Sequence, residues 1–254
     1  MQDQTARQPV FNAPAVVIAL IALMALVHVG LDQFVTDDPS LLFALAFIPA
    51  RYVASPDPFL PGGVVAAWTS PFTHMFLHGG WLHLVMNSAW LLAFGAIIAR
   101  RMNVLRFLIY FLVCGLAGAG LFYLVNMGEL KPVVGASGAV SGLMGGVFRF
   151  LFNARGASVF GASGDGMNIP RMPLGVAVLD RSVLLAIVIW LGINAIFATD
   201  VGQMLAEGEI AWEAHVGGFL AGFLLLGLVD QVPLRRWSPV PTDEDQHDNH
   251  PWTH

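Results

Sequence analysis

Long apolar stretches almost free of charge constrain this chain more than anything else in it. They cover residues 14–30, 82–99, 104–125, 135–152, 182–199 and 212–229. In hydrocarbon every backbone N–H and C=O must find its partner inside the protein, so an apolar run of roughly 20 residues reads as a helix that crosses the bilayer. The balance of residue types agrees. The chain is 56% hydrophobic and 11% charged, and a soluble domain carries roughly twice that charged fraction. The expected fold class is an all-α membrane protein, a six-helix bundle over 14–230 between a tail at 1–13 and a second tail at 231–254.

Placement of basic residues gives the expected orientation. Arg7, Arg100, Arg101, Arg106, Arg149, Arg155, Arg171, Arg181, Arg235 and Arg236 fall in the tails, in alternate connections or at the span ends beside them, leaving Arg51 and Lys131 on the other side. Lys and Arg concentrate on the cytoplasmic side, so both termini are expected there. Residues 1–13 lack a basic n-region and a cleavage site, and read as a retained cytoplasmic tail. The short charged loops offer no basic patch for a nucleic acid. Cys114, the one cysteine, cannot form an intrachain disulfide.

Two connections stand out. Residues 31–77 contain the apolar run 41–48, too short to span, among prolines 39, 49, 56, 58, 61 and 71. This first extracytoplasmic loop is expected to lie in the membrane interface or against the bundle. Residues 153–181 form a Gly-rich cytoplasmic loop with a second Gly161-Ala162-Ser163-Gly164, rejected as a site because polar residues follow it. His247, His250 and His254 fall in a Pro/Asp/His-rich tail that composition marks as disordered, and no metal site is expected.

Against this background the sequence Gly135-Ala136-Ser137-Gly138 opening the fourth span is conspicuous. Small residues before Ser137 allow a tight turn, and the free N–H groups of a first helical turn favour an anion beside it. A serine there is also a favoured helix cap. Gly138, Gly142 and Gly146 then repeat every fourth residue and give a face that another helix can approach closely. With six spans, the second, fourth and sixth begin on one side of the membrane. His83 and Asn87, four apart on the second, Ser137 on the fourth and His215 on the sixth all lie near those starts. Gly218 and Gly222 follow His215 and complement the glycine face of the fourth span. Close packing of the two would bring Ser137 and His215 within hydrogen-bond reach, as a serine and its base require. No carboxylate is suited to orient His215: Asp230 is about 22 Å further along the helix, and Glu213 points to another face. The expectation is therefore a Ser137–His215 dyad.

These residues resemble the rhomboid intramembrane serine proteases, in Gly135-Ala136-Ser137-Gly138, in the His78, His83, Asn87 pattern, and in His215 with Gly218 and Gly222. The resemblance spans about residues 14–230. It implies that Ser137 is the nucleophile and His215 the general base, and that His83, Asn87 and the Ser137 backbone N–H stabilise the oxyanion. It implies a structural His78 that anchors the first loop. It also implies transmembrane protein substrates cut near the outer face of the bilayer, without a cofactor. Two positions depart from the family pattern. Arg51-Tyr52 stands in a first loop where many members carry Trp-Arg, and Ser141 stands where many bacterial members place a tyrosine against the base. The segment 200–211, with Met204 and Leu205, is a candidate lid. A bacterial inner membrane is the expected location. The alternative is a non-catalytic relative that binds and escorts membrane clients; a transporter is disfavoured because no inverted repeat is found.

Overall fold

A computed structural model describes residues 13–34, 38–54, 59–152, 169–199 and 210–232. Residues 200–209 of the candidate lid, with Met204 and Leu205, the second Gly-Ala-Ser-Gly sequence and the His-rich tail lie outside the described residues.

The described residues are helical apart from short connections and one isolated bridge. The elements are α1 (Ala15–Phe34), α2 (Ser40–Leu45), α3 (Gly63–Thr73), α4 (Trp81–Ala99), α5 (Val104–Val125), α6 (Ser137–Leu151), α7 (Leu174–Ala177), α8 (Arg181–Phe197) and α9 (Trp212–Val229). α4 holds a π turn at Leu91–Gly95. Among the described residues four helices, α1, α4, α5 and α9, are long and apolar enough to cross a membrane. α8 is shorter, and α6 has 15 residues, roughly 22 Å at 1.5 Å per residue.

α6 is the centre of the bundle and is buried along nearly its whole length. Its neighbours can come so close because glycine faces glycine. A Cβ on Gly218 would overlap the Gly138 carbonyl, and a Cβ on Gly222 would overlap the Gly142 carbonyl. α6 and α9 therefore run parallel and in register, as the four-residue glycine spacing predicts. α5 runs the other way across both: Gly118 lies against Gly138 and Ala214 at one end, and the Tyr110 hydroxyl donates to the Gly222 carbonyl, 2.6 Å, nearer the other. The side-chain core fills the space around α6 with Phe107, Phe111, Leu143 and Phe150.

At the far end of α6 and α9, buried arginines fasten the connections. Arg101 makes a two-pronged ion pair with Asp230, at 2.8 and 3.2 Å, and Arg171 adds a third contact at 3.2 Å. Arg149 donates to the carbonyls of Met172 and Phe223.

The first loop packs on itself at the opposite end. Arg51 donates to the carbonyls of Pro61 and Phe43, and the Tyr52 hydroxyl meets Ser70 and donates to the Ala67 carbonyl. Desolvation of the pair lowers the Arg51 pKa and raises that of Tyr52. The outer face of α3 leaves Val64, Val65 and Trp68 about three-quarters exposed. An apolar face of this kind on a helix too short to span fits an element lying at a membrane interface.

Candidate active site

α4, α6 and α9 begin at the same end of the bundle, and the singled-out polar residues sit in or near their first turns: His83 and Asn87, Ser137, and His215. The approach to Ser137 is staked at two points. Phe47 and Val133 exchange both backbone hydrogen bonds, at 2.8 and 3.1 Å, and the Gly135 N–H donates to the His74 carbonyl at 2.9 Å. His74 is itself fixed, its Nδ1–H donating to the Ser70 carbonyl at 3.0 Å. The first loop thus sets the path of the chain into α6. This is a role for His74 that the sequence does not reveal, since nothing in its spacing points to a backbone carbonyl.

Gly135 takes a φ of +111°, which only glycine adopts without strain. It also has no room for a side chain. A Cβ there would come within 2.7 Å of His83 Nε2 and 3.8 Å of Asn87 Nδ2. Both groups are donors in that direction. The Gly79 N–H donates to His83 Nδ1, so the ring proton sits on Nε2, the atom facing Gly135. Asn87 Nδ2 donates one hydrogen to the His83 carbonyl at 3.0 Å and has a second to give.

Ser137 is the first residue of α6, while Ala136 occupies the cap position and no side chain caps the helix. Ser137 is therefore not serving as the N-cap, the blander role open to a serine at this place. The helical ladder starts with the Val140 N–H donating to the Ala136 carbonyl, leaving the N–H groups of Ser137, Gly138 and Ala139 ahead of it.

On the other flank lies α9. Gly138, next to Ser137, sits against the carbonyl of Ala214, next to His215; a Cβ on Gly138 would be 3.2 Å from that oxygen. His215 is engaged through one ring nitrogen, Nδ1, 2.8 Å from Asn194 Oδ1 on α8. Asn194 is 5% exposed, and its Nδ2 donates to the Trp190 carbonyl at 2.9 Å. Asn194 is not evident in the sequence, because the partner of His215 is an amide on a neighbouring helix and not a carboxylate on its own.

Glu213 and Asp230, passed over as partners of His215, have other occupations. Glu213 accepts from Asn126 at the end of α5, and Asp230 belongs to the arginine cluster. His78 is buried with its ring edge against His83, and neither of its nitrogens has a hydrogen-bond partner. Its contribution is packing, whereas the hydrogen bonds that anchor the first loop come from Arg51, Tyr52 and His74. Burial, with His83 and His28 nearby, holds the His78 pKa down to about 3, and burial holds that of His74 at about 4. Ser141 is buried one turn below Ser137. Among the described residues no three His, Cys, Asp or Glu side chains are arranged to hold a metal ion.

Comparison with known proteins places this geometry. The family described as Rhomboid domain matches residues 66–231. RHOMBOID-like protein 4 of Arabidopsis thaliana is 30% identical over 150 residues, 59% of this chain and 31% of that protein. RHOMBOID-like protein 6, mitochondrial, of the same plant is 30% identical over 168 residues, 65% of this chain and 45% of that one. The putative rhomboid protease YdcA of Bacillus subtilis (strain 168) is 27% identical over 174 residues, 67% and 71% of the two chains. The chain spans less than half the length of the two plant relatives.

Proposed function

The chain belongs to the rhomboid family, and from that premise we propose that it is an intramembrane serine endopeptidase, with Ser137 as nucleophile and His215 as general base. The observation that carries this reading is the setting of Ser137. It starts α6 without capping it, with donors from α4 on one side and the turn bearing His215 on the other. A hydroxyl kept from structural work, one residue before the point where α6 meets the Ala214 carbonyl beside His215 and close to the α4 donors, is placed to gather the parts that acyl transfer needs.

In the proposed reaction a transmembrane segment of another protein unwinds beside the bundle and presents a peptide carbonyl to Ser137. His215 Nε2 takes the hydroxyl proton as Oγ bonds to the carbonyl carbon. The negative charge formed on the carbonyl oxygen is met by His83 Nε2–H, Asn87 Nδ2–H and the Ser137 N–H. His215 then gives its proton to the departing amine as the C–N bond breaks, leaving an acyl-enzyme. Water, deprotonated by the same imidazole, releases the second product and restores the serine. Six spans, cytoplasmic termini and a site just below the extracytoplasmic surface complete the proposal. They are supported by the distribution of arginine and by the common end at which α4, α6 and α9 begin.

The test is cleavage of a helical membrane substrate by the protein reconstituted in liposomes. Ser137→Ala and His215→Ala are each expected to lower the rate by at least about 10³-fold, since serine-protease triads lose more than that when nucleophile or base is removed. Equal cleavage by the parent chain and Ser137→Ala would remove the assignment. Binding of the substrate without cleavage by either would favour a client-escorting relative.

A further inference from the structure

The geometry points to Asn194 as a positioning residue that selects the tautomer of His215, an inference that rests on the proposed role of His215 as base. A neutral imidazole carries its proton on one nitrogen or the other, and only the bare one accepts a proton. Which one is bare is settled by the hydrogen bond the other makes.

The orientation of the Asn194 amide decides the matter. Its Nδ2 donates to the Trp190 carbonyl one turn back on α8, which turns Oδ1 toward His215. Oδ1 can only accept, so the proton between the two side chains belongs to His215 Nδ1, 2.8 Å away. Nε2 is then bare, as a base acting on Ser137 requires. Asn194 is buried in a helix whose other faces carry exposed apolar residues, Leu185, Val188 and Ile189 among them. An amide there is costly unless it is hydrogen-bonded. Both halves of this one are used, one to fix the amide and one to fix the ring.

Its neutrality matters too. A carboxylate in the same place would favour the imidazolium and raise the pH at which the base becomes available. An amide selects the tautomer without adding that charge. It also ties the readiness of the base to α8, which packs against α6 and α9 less extensively than those two pack on each other. The base is set for reaction when α8 is docked.

The experiment uses the full chain, labelled with ¹⁵N-histidine, together with Asn194→Leu and Asn194→Asp. Leucine keeps the volume and the helix but removes the acceptor. Aspartate keeps the acceptor but removes the donor to Trp190. The His215 signals are identified by their loss in His215→Gln. In the parent chain the expected pattern is a protonated Nδ1 and a bare Nε2 at neutral pH. In Asn194→Leu the two nitrogens are expected to share the proton, and kcat to fall roughly 10²-fold with KM little changed. That is less than the ~10⁴ lost when a serine protease is locked in the wrong tautomer. Asn194→Asp is expected to keep the parent pattern, with the acid limb of the kcat/KM profile moved to higher pH. An unchanged ¹⁵N pattern in Asn194→Leu overturns the inference, as does an unmoved acid limb in Asn194→Asp. The spectra need no turnover, so a chain that proves not to be a protease would fail the activity assay while the tautomer is still read.

Discussion

The two ends of the α6–α9 pair are built on opposite principles. At the arginine end Asp230 takes both Arg101 and Arg171, and the Arg101 and Asp230 side chains are wholly buried. Arg149 spends its donors on two backbone carbonyls. At the serine end Glu213 is held by a single amide, and several buried atoms, both His78 nitrogens, Asn87 Oδ1 and Glu213 Oε2 among them, have no hydrogen-bond partner. Buried polar atoms are normally paired. An end that pairs its charges fully is suited to holding helices together, and one that leaves polar atoms unpaired is suited to receiving something. The same two helices thus carry a fastening at one terminus and chemistry at the other.

The sharpest way to break this division is to damage the fastening alone. Asp230→Asn leaves two guanidinium groups facing an amide, and breaking a buried pair from one side costs about 3–5 kcal/mol. The expected result is a large drop in melting temperature in detergent, with the cleavage rate per folded molecule nearly unchanged. A loss of rate at unchanged stability would show that the two ends are not separable.

The reciprocal test removes one donor from the serine end. His83→Ala deletes the Nε2–H that faces Gly135. Losing one oxyanion donor typically costs about 10²–10³ in rate, roughly 2.7–4 kcal/mol. Stability is expected to move little, because His83 accepts a single long hydrogen bond from Gly79. A His83→Ala chain that melts early but cuts normally would make the residue part of the fastening.

Between the ends lies the glycine seam that joins them, and a change there should respect no division. A Cβ on Gly222 overlaps the Gly142 carbonyl. Gly222→Ala must push the helices apart, and overpacking costs typically 1–3 kcal/mol. Stability and cleavage are expected to fall together, as read by melting temperature and rate on one preparation. A normal rate with lowered stability would confine the seam to the fold.

What could be read in the sequence follows from how local each signal is. The apolar runs and the four-residue glycine spacing are periodic along the chain, so they foretold apolar helices and complementary glycine faces on α6 and α9; that Gly218 meets Gly138 and Gly222 meets Gly142 needed the fold. His83 and Asn87 were legible as one helical face at the same end of the bundle as Ser137, whereas their approach to Gly135 needed the fold. The contacts that steer Ser137 and His215 were not legible. The bond from Gly135 to the His74 carbonyl and the bridge between Phe47 and Val133 are backbone contacts between distant segments, and side-chain identity does not encode them. Asn194 was missed for a related reason: it lies 21 residues from His215 on another helix, in a run whose other residues only mark it as apolar. Arg101, Arg149, Arg171 and Asp230 were read as signs of membrane orientation, and their mutual pairing needed the fold.

The smallest effect concerns the proton uptake of the serine end. In the unfolded chain a histidine titrates near its ordinary pKa of about 6.5. In the fold burial keeps His74 near 4 and, with His83 and His28 close by, His78 near 3. Between those values and the ordinary one the unfolded state binds more protons than the folded state, so stability falls as pH falls. The loss begins near pH 6.5 and grows until the folded pKa values are passed. By about pH 6, half a unit below the unfolded value, it should amount to ~1–2 kcal/mol for the two groups together. Melting temperature measured from pH 7.5 to 5 is therefore expected to decline below pH 6.5, and His74→Gln to flatten the decline. A profile that stays level to pH 5 would mean that His74 and His78 take up protons as readily folded as unfolded, and the serine end would then not be the place sheltering neutral imidazoles that separates it from the other.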